Sequence, residues 1–127
     1  MIALKRGKEP DLLPRYTESF AAGEPVQVPQ NPTMADALLA NKPGALCFPQ
    51  VRKYVDEMVC VSDEDLLRGA KLLLLEGHLL AEFSSAIGIG AVLAGKIKTS
   101  PKEKVCFVIS GGSVDLPQLD RLRSVEI

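Results

Sequence analysis

The residues of this chain best suited to chemistry lie in its second half. Ser110-Gly111-Gly112-Ser113 follows an apolar run and precedes a stretch of helical character. Glycines at such a point let the backbone bend tightly and let a flat ring or a phosphate approach it. A serine hydroxyl there can donate one hydrogen bond and accept others. In open α/β sheets, ligands gather at the carboxyl ends of strands. By itself, the motif reads first as a tight turn. Glu82 stands between Leu79-Leu80-Ala81 and a run of small residues. Its setting predicts a surface or capping role, against the alternative of a carboxylate placed in a site, where burial would raise its pKa. His78 is the only histidine and follows Gly77. It predicts a cationic-capable residue at a helix C-terminus. One histidine supports neither a metal cluster nor a Ser/His pair.

The elements that must position these residues follow from cap and period signals. Met1 to Pro10 is mixed and charged and reads poorly as any element. Pro14 to Ala22 predicts a short helix closed by Gly23. Glu24 to Lys42 carries Pro25, Pro29 and Pro32 and predicts a loop. Phe48 to Val55 can form a short helix, and Met58 to Val61 a short strand. Ser62 is a helix N-cap, and Asp63, Glu64 and Asp65 favour the positive end of the helix dipole. A cap explains this acidic run fully, with no need for a metal or modification site. That helix should stop at Gly77, with Leu72 to Leu75 in the core. Ser84 to Gly95 predicts a second helix whose three glycines imply a close neighbour. Lys104 to Ile109 reads as a buried strand and Leu116 to Arg123 as a helix. The alternation is that of a parallel sheet with crossovers.

Composition bounds the rest. The chain has 127 residues, enough for one domain. Its 15 basic and 16 acidic residues give a formal charge of −1. That argues against nucleic acid or an anionic membrane as partner. No stretch is long and apolar enough to span a bilayer, and Met1 to Pro10 has no apolar signal core. The three cysteines, Cys47, Cys60 and Cys106, fit neither a disulfide framework nor a zinc site. Reduced thiols and a cytoplasmic location are expected.

The order of the pieces resembles one family, the fold-type-II pyridoxal-phosphate (PLP) enzymes of the serine/threonine dehydratase and serine racemase group. The resemblance covers about residues 9 to 123. It runs from Glu9-Pro10 to Ser19 and Ala22-Gly23, then through Thr33-Met34-Ala35-Asp36, Pro43-Gly44, Phe48-Pro49 and Tyr54-Val55-Asp56. It continues through Val61-Ser62-Asp63-Glu64, Leu75-Glu76-Gly77-His78 and Ala81-Glu82-Phe83-Ser84 to Val108-Ile109-Ser110-Gly111-Gly112-Ser113. Leu75-Glu76-Gly77-His78, then Ala81-Glu82-Phe83-Ser84, match the family's helix end and its Glu-Pro-Ser/Ala-Gly-Ala segment. The resemblance implies a single truncated domain over 1–127, with 1–8 an atypical leader. Its fold would be a three-layer α/β/α remnant with a mostly parallel sheet, the C-terminal part of the cofactor-binding domain. It implies that Ser110 bonds the pyridine nitrogen of pyridoxal phosphate, that Gly111 and Gly112 keep the turn clear of the ring, and that Glu82 lies near it. A neutral hydroxyl partner leaves that nitrogen largely unprotonated, which suits elimination of water from serine or threonine.

The departures from the family bear on function. The lysine that bonds the cofactor's aldehyde and the glycine-rich phosphate loop both belong upstream of Glu-Pro, and neither motif is present. Met1 to Lys8 replaces the strand that should lead into Glu-Pro. Some members bind a divalent cation through positions that here are Glu9, Leu13 and Arg15. An arginine cannot ligate a hard cation, so no metal site is expected. Phe83, Ala37 and Ser113 replace the usual proline, glycine and asparagine. Three readings compete. The chain is a truncated homologue that serves as a non-catalytic binding or oligomerisation module, or a fragment of a dehydratase or racemase active only with its missing N-terminal part. The least favoured is a self-sufficient enzyme with a different site. An uncovered sheet edge at Val105 to Ile109 and an uncovered helix at Ser84 to Gly95 predict a homodimer.

Overall fold

The computed structural model describes residues 4–127. Two short parallel strands form its sheet: β1 (Arg6–Pro10) and β2 (Glu57–Val61), with Lys8 opposite Val59 and Glu9 opposite Cys60. Alternation sends these pairs to opposite faces. Val59 and Val61 join the core with Phe83, Ala86, Ile87 and Ala91 of α4 (Phe83–Leu93). Cys60 faces the other way, its Sγ 3.4 Å from Thr17 Oγ1 of α1 (Arg15–Ala22). Helices therefore cover both faces, and the expected three-layer α/β/α arrangement with a parallel sheet is present. β1 corrects the reading of Met1 to Pro10 as poor for any element and of Met1 to Lys8 as replacing the strand that leads into Glu-Pro: a strand does lead into Glu9-Pro10. Its mixed sequence carries no strand pattern, and its partner lies fifty residues away. The part of that reading that falls on residues 1–3 lies outside the described residues.

Local chemistry sets the helix ends. The carboxylate of Glu9, buried at 1% exposure, accepts the backbone N–H of Tyr16 (2.8 Å), the N–H of Thr17 (2.8 Å) and the Thr17 hydroxyl (2.6 Å). These donors belong to the first turn of α1, where negative charge is favoured. Gly23 closes the helix in the left-handed region, its N–H donating to Ser19 O. α2 (Cys47–Tyr54) stacks Phe48 near Tyr16 and Phe20. α3 (Asp63–Leu75) starts at Ser62, whose hydroxyl accepts from Asp65 N–H.

α3 and α4 form the densest contact of the molecule. A Cβ on Gly69 would lie 2.7 Å from the Ala86 carbonyl oxygen and 3.0 Å from Gly90 Cα, so the two backbones touch. This is the close neighbour that the glycines of α4 imply. It also corrects the expectation that this helix is uncovered: Phe83 to Gly88, Gly90 and Ala91 are buried. The Leu72 to Leu75 run is only partly core, because Leu73 alone is buried and Leu75 is 51% exposed.

Two segments lack regular structure. Residues 24–46 hold only a 3-10 turn at Asp36–Leu38, and long-range bonds stitch them down. Arg15 Nη1 donates to Leu38 O (2.7 Å) and to Ala40 O. The Asp63 carboxylate accepts Thr33 Oγ1 and Met34 N–H. Residues 104–109 are the second. They correct the prediction of a buried strand: Val105 is 48% and Val108 80% exposed, and no strand forms there. Beyond them lies α5 (Leu116–Arg121), capped reciprocally by Asp115 and Gln118. Among the described residues, no helix is long and apolar enough to cross a membrane.

Candidate functional site

The start of α4 brings the singled-out residues together. Ser85 is buried, and its Oγ accepts the backbone N–H of Ser110 (3.2 Å) and of Gly111 (3.1 Å). Gly111 O accepts the N–H of Glu82 (3.1 Å). A Cβ on Gly111 would run into the Glu82 carboxylate, so a side chain there would have to displace Glu82. Glu82 occupies the N-cap position of α4, yet its side chain caps nothing. It stands half-buried beside Gly111. Ser110-Gly111-Gly112 forms no turn, which corrects the expectation of a tight turn; Ser85 and Glu82 hold the segment in place through its backbone.

The Ser110 Oγ lies 3.3 Å from Ser85 Oγ. A serine oxygen has two lone pairs and one proton. Either hydroxyl can donate across that contact. Two N–H groups already take the lone pairs of Ser85; with Ser85 as the donor, the Ser110 hydroxyl, at an exposed position, has its proton available to an acceptor outside the protein. An aromatic ring nitrogen is an acceptor of that kind. Gly112 is exposed next to it.

A second polar cluster braces the same helix end. The buried Ser84 hydroxyl donates to Asp36 Oδ1 (3.3 Å) and accepts Ala37 N–H (3.1 Å). Gln118 Nε2 lies 3.5 Å from Asp36 Oδ2. Ser85, Ser84 and Asp36 were not predicted as site residues. Ser85 stands where the resemblance has glycine, and its partners are 25 residues away. The doubled serine just after Glu82 was the available signal.

The structure separates the other candidates from this cluster. His78 is exposed behind α3 with a positive φ of 53°, outside the hydrogen-bonded node. Glu9 spends its carboxylate on α1. Arg15 is half-buried and points its guanidinium at loop carbonyls, so the position that the resemblance gives to a cation-binding acid holds a cation already. Lys8, half-buried on β1, bonds Arg6 O at 2.7 Å. Burial first, and then Arg6, pull its pKa below the ordinary lysine value. Lys71 bonds Val125 O, and Lys96 bonds Cys60 O.

These residues fit one edge of pyridoxal phosphate and not the whole. The Ser110 hydroxyl and the glycines beside it suit the ring nitrogen. The N–H groups of Ser110 and Gly111 are already given to Ser85, and no described lysine bonds into the node. Among the described residues nothing is arranged to hold a phosphate or an aldehyde.

A family model described as "Pyridoxal-phosphate dependent enzyme" matches residues 6–111. The L-threonine ammonia-lyase of Thermotoga maritima is 39% identical over 116 residues, which is 91% of this chain and 28% of that protein. Maize serine racemase superposes with a TM-score of 0.81 at 32% identity, covering 91% of this chain and 36% of that one. A threonine deaminase from T.th. also gives 0.81, at 28% identity, with 88% and 40% covered. The chain therefore spans less than a third of the first relative and about two fifths or less of both solved structures.

Proposed function

The chain belongs to the pyridoxal-phosphate dependent enzyme family, and from that premise we propose that it is the C-terminal part of the cofactor-binding domain of a serine/threonine ammonia-lyase, inactive alone. The observation that carries this reading is the Ser110-Gly111 segment held by Ser85 and Glu82, with an exposed serine hydroxyl beside two glycines. Pyridoxal phosphate supplies an electron sink to the reactions it serves. This chain would contribute a neutral hydrogen-bond donor at the ring nitrogen through Ser110, with Gly111 and Gly112 giving clearance and Glu82 alongside. The substrate class follows from relatives named threonine ammonia-lyase and serine racemase. A cytoplasmic setting is part of the same proposal and is supported by three free cysteines.

Inactivity alone rests on two needs of such chemistry, a lysine poised at the aldehyde and a cradle for the phosphate. The purified chain mixed with pyridoxal phosphate, reduced with borohydride and mapped should show only scattered, substoichiometric lysine labelling. It should form no 2-oxo acid from L-threonine or L-serine. A stoichiometric adduct at one lysine, protected by either amino acid, would overturn the reading in favour of a self-sufficient enzyme.

A further inference from the structure

Ser84 and Ser85 stand side by side in the first turn of α4, a strongly apolar helix, and both are buried. A buried hydroxyl without a partner costs stability, and a serine inside a helix commonly bonds back to the carbonyl four residues earlier. Neither serine does so. Ser84 turns to Asp36 Oδ1 (3.3 Å) and Ala37 N–H (3.1 Å), in the loop of residues 24–46. Ser85, 7% exposed, turns to the N–H groups of Ser110 (3.2 Å) and Gly111 (3.1 Å) and to Ser110 Oγ (3.3 Å). Adjacent hydroxyls thus serve two separate segments. The second of these has little else to hold it. Residues 110–112 belong to no helix, strand or turn. Apart from Ser85, the backbone of these three residues bonds only through Gly111 O, which accepts Glu82 N–H at 3.1 Å, among the described residues.

We propose that Ser85 is the positioning residue of Ser110: it fixes the backbone from which the Ser110 side chain projects and turns the Ser110 proton outward, toward an aromatic ring nitrogen. The proposal rests on the functional reading above, in which Ser110 meets the ring of pyridoxal phosphate. The Ser110 N–H belongs to the peptide unit before its Cα, and the Gly111 N–H to the unit after it. A peptide unit is planar, so the backbone has only two soft dihedrals at each residue. One oxygen that anchors both flanking units therefore fixes both dihedrals of Ser110, and with them the direction of its Cα–Cβ bond. With both lone pairs of Ser85 Oγ engaged, what it brings to the contact with Ser110 Oγ is its proton. Ser85 itself touches no ligand in this scheme. The glycine that the resemblance has at this position carries no oxygen, so the bracing belongs to this chain's own sequence. Its loss should loosen Ser110 and spare the α3–α4 contact, which centres on Gly69 and Gly90.

The test uses the whole chain, followed residue by residue by NMR. Ser85→Ala should speed solvent exchange of the Ser110 and Gly111 amides about fivefold or more, the scale of a lost hydrogen bond. Ser85→Gly should do the same. Ser84→Ala removes an equally buried hydroxyl from the same turn; it should loosen the Ala37 amide and leave Ser110 and Gly111 as they were. Presentation of the Ser110 hydroxyl is probed with pyridoxine, which carries the ring nitrogen and no aldehyde to react with lysines. It should shift the Ser110 and Gly112 resonances weakly and saturably in the parent. The shift should vanish in Ser110→Ala, whose amides stay protected, and its midpoint should rise about fivefold or more in Ser85→Ala, again the scale of a lost hydrogen bond. Equal exchange at Ser110 and Gly111 in the parent and both Ser85 variants overturns the proposal. Equal loosening of these amides by Ser84→Ala overturns it too, because the effect would then be one of helix packing. A pyridoxine response that survives intact in Ser85→Ala does the same. Unfolding of both Ser85 variants overturns it by showing that Ser85 holds the fold and not Ser110. Amides that depend on Ser85 in a chain that ignores pyridoxine keep Ser85 as the residue that positions Ser110 and reject the cofactor reading.

Discussion

Residues 83–93 and 104–109 are both strongly apolar, yet the first run is buried and the second lies open to solvent. The difference is where each finds its neighbours. α4 meets α3 inside this chain, and Gly69 and Gly90 let the two backbones touch. In the 104–109 run Phe107 reaches Gly88 of α4, and the other residues are exposed. Apolar sequence records the environment a segment suits. It does not say whether the covering residues belong to the same stretch of chain.

The sharpest way to break this comparison is to push α3 and α4 apart. Gly69→Val puts side-chain atoms where the Gly90 backbone lies. It should cost about 3 kcal/mol or more by overpacking, read as lost cooperativity in a urea melt. If the variant melted like the parent, the helix pair would not be the centre of stability, and the contrast with 104–109 would fail. Glu9→Ala comes next. It leaves the Tyr16 and Thr17 N–H groups without their carboxylate and should cost about 2 kcal/mol, the upper range for a helix cap. Glu9→Gln, which keeps an acceptor oxygen, should cost less. Loss of α1 alone, with α3 and α4 intact by hydrogen exchange, would divide the molecule more sharply.

The smallest effect lies where the two regions meet. Lys8 keeps a charge half out of water beside Gly88, and its folded pKa is lowered by burial first and by Arg6 second. Below that folded pKa, the cost of holding the charge is fully present. It fades as pH rises through the folded pKa toward the unfolded value near 10.5. Lys8→Met should therefore stabilise at neutral pH, by no more than about 1 kcal/mol because solvent screens a half-exposed charge. The gain should shrink when melts are repeated above about pH 10, near the ordinary lysine pKa. A gain independent of pH would assign the effect to packing.

What could be read from sequence was local. Gly23 ends α1, and Ser62 starts α3 with three acids behind it, because cap chemistry acts within a few residues. β1 escaped because Arg6-Gly7-Lys8-Glu9-Pro10 has no alternation, and only its pairing with Glu57 to Val61 makes it a strand. Ser110, Gly111 and Glu82 were legible as site candidates through family resemblance and turn chemistry, and the structure does place them together. Ser85 was not: the doubled serine after Glu82 could flag a polar spot in an apolar helix, but not the partner its hydroxyl meets 25 residues on. The 104–109 run was misplaced for the reason that separates the two regions: its composition matches neighbours that the described residues do not supply.

The loop of residues 24–46 has a consequence in time. Most of what fixes it is long-range: the Arg15 guanidinium on Leu38 O and Ala40 O, and Asp63 on Thr33 and Met34. Arg15 and Asp63 are in position only once α1 and α3 exist and have come together. The loop therefore cannot nucleate anything and must settle late in folding, as a closure over structure already made. Its amides should gain protection last when the chain refolds, after those of the helices on which it rests.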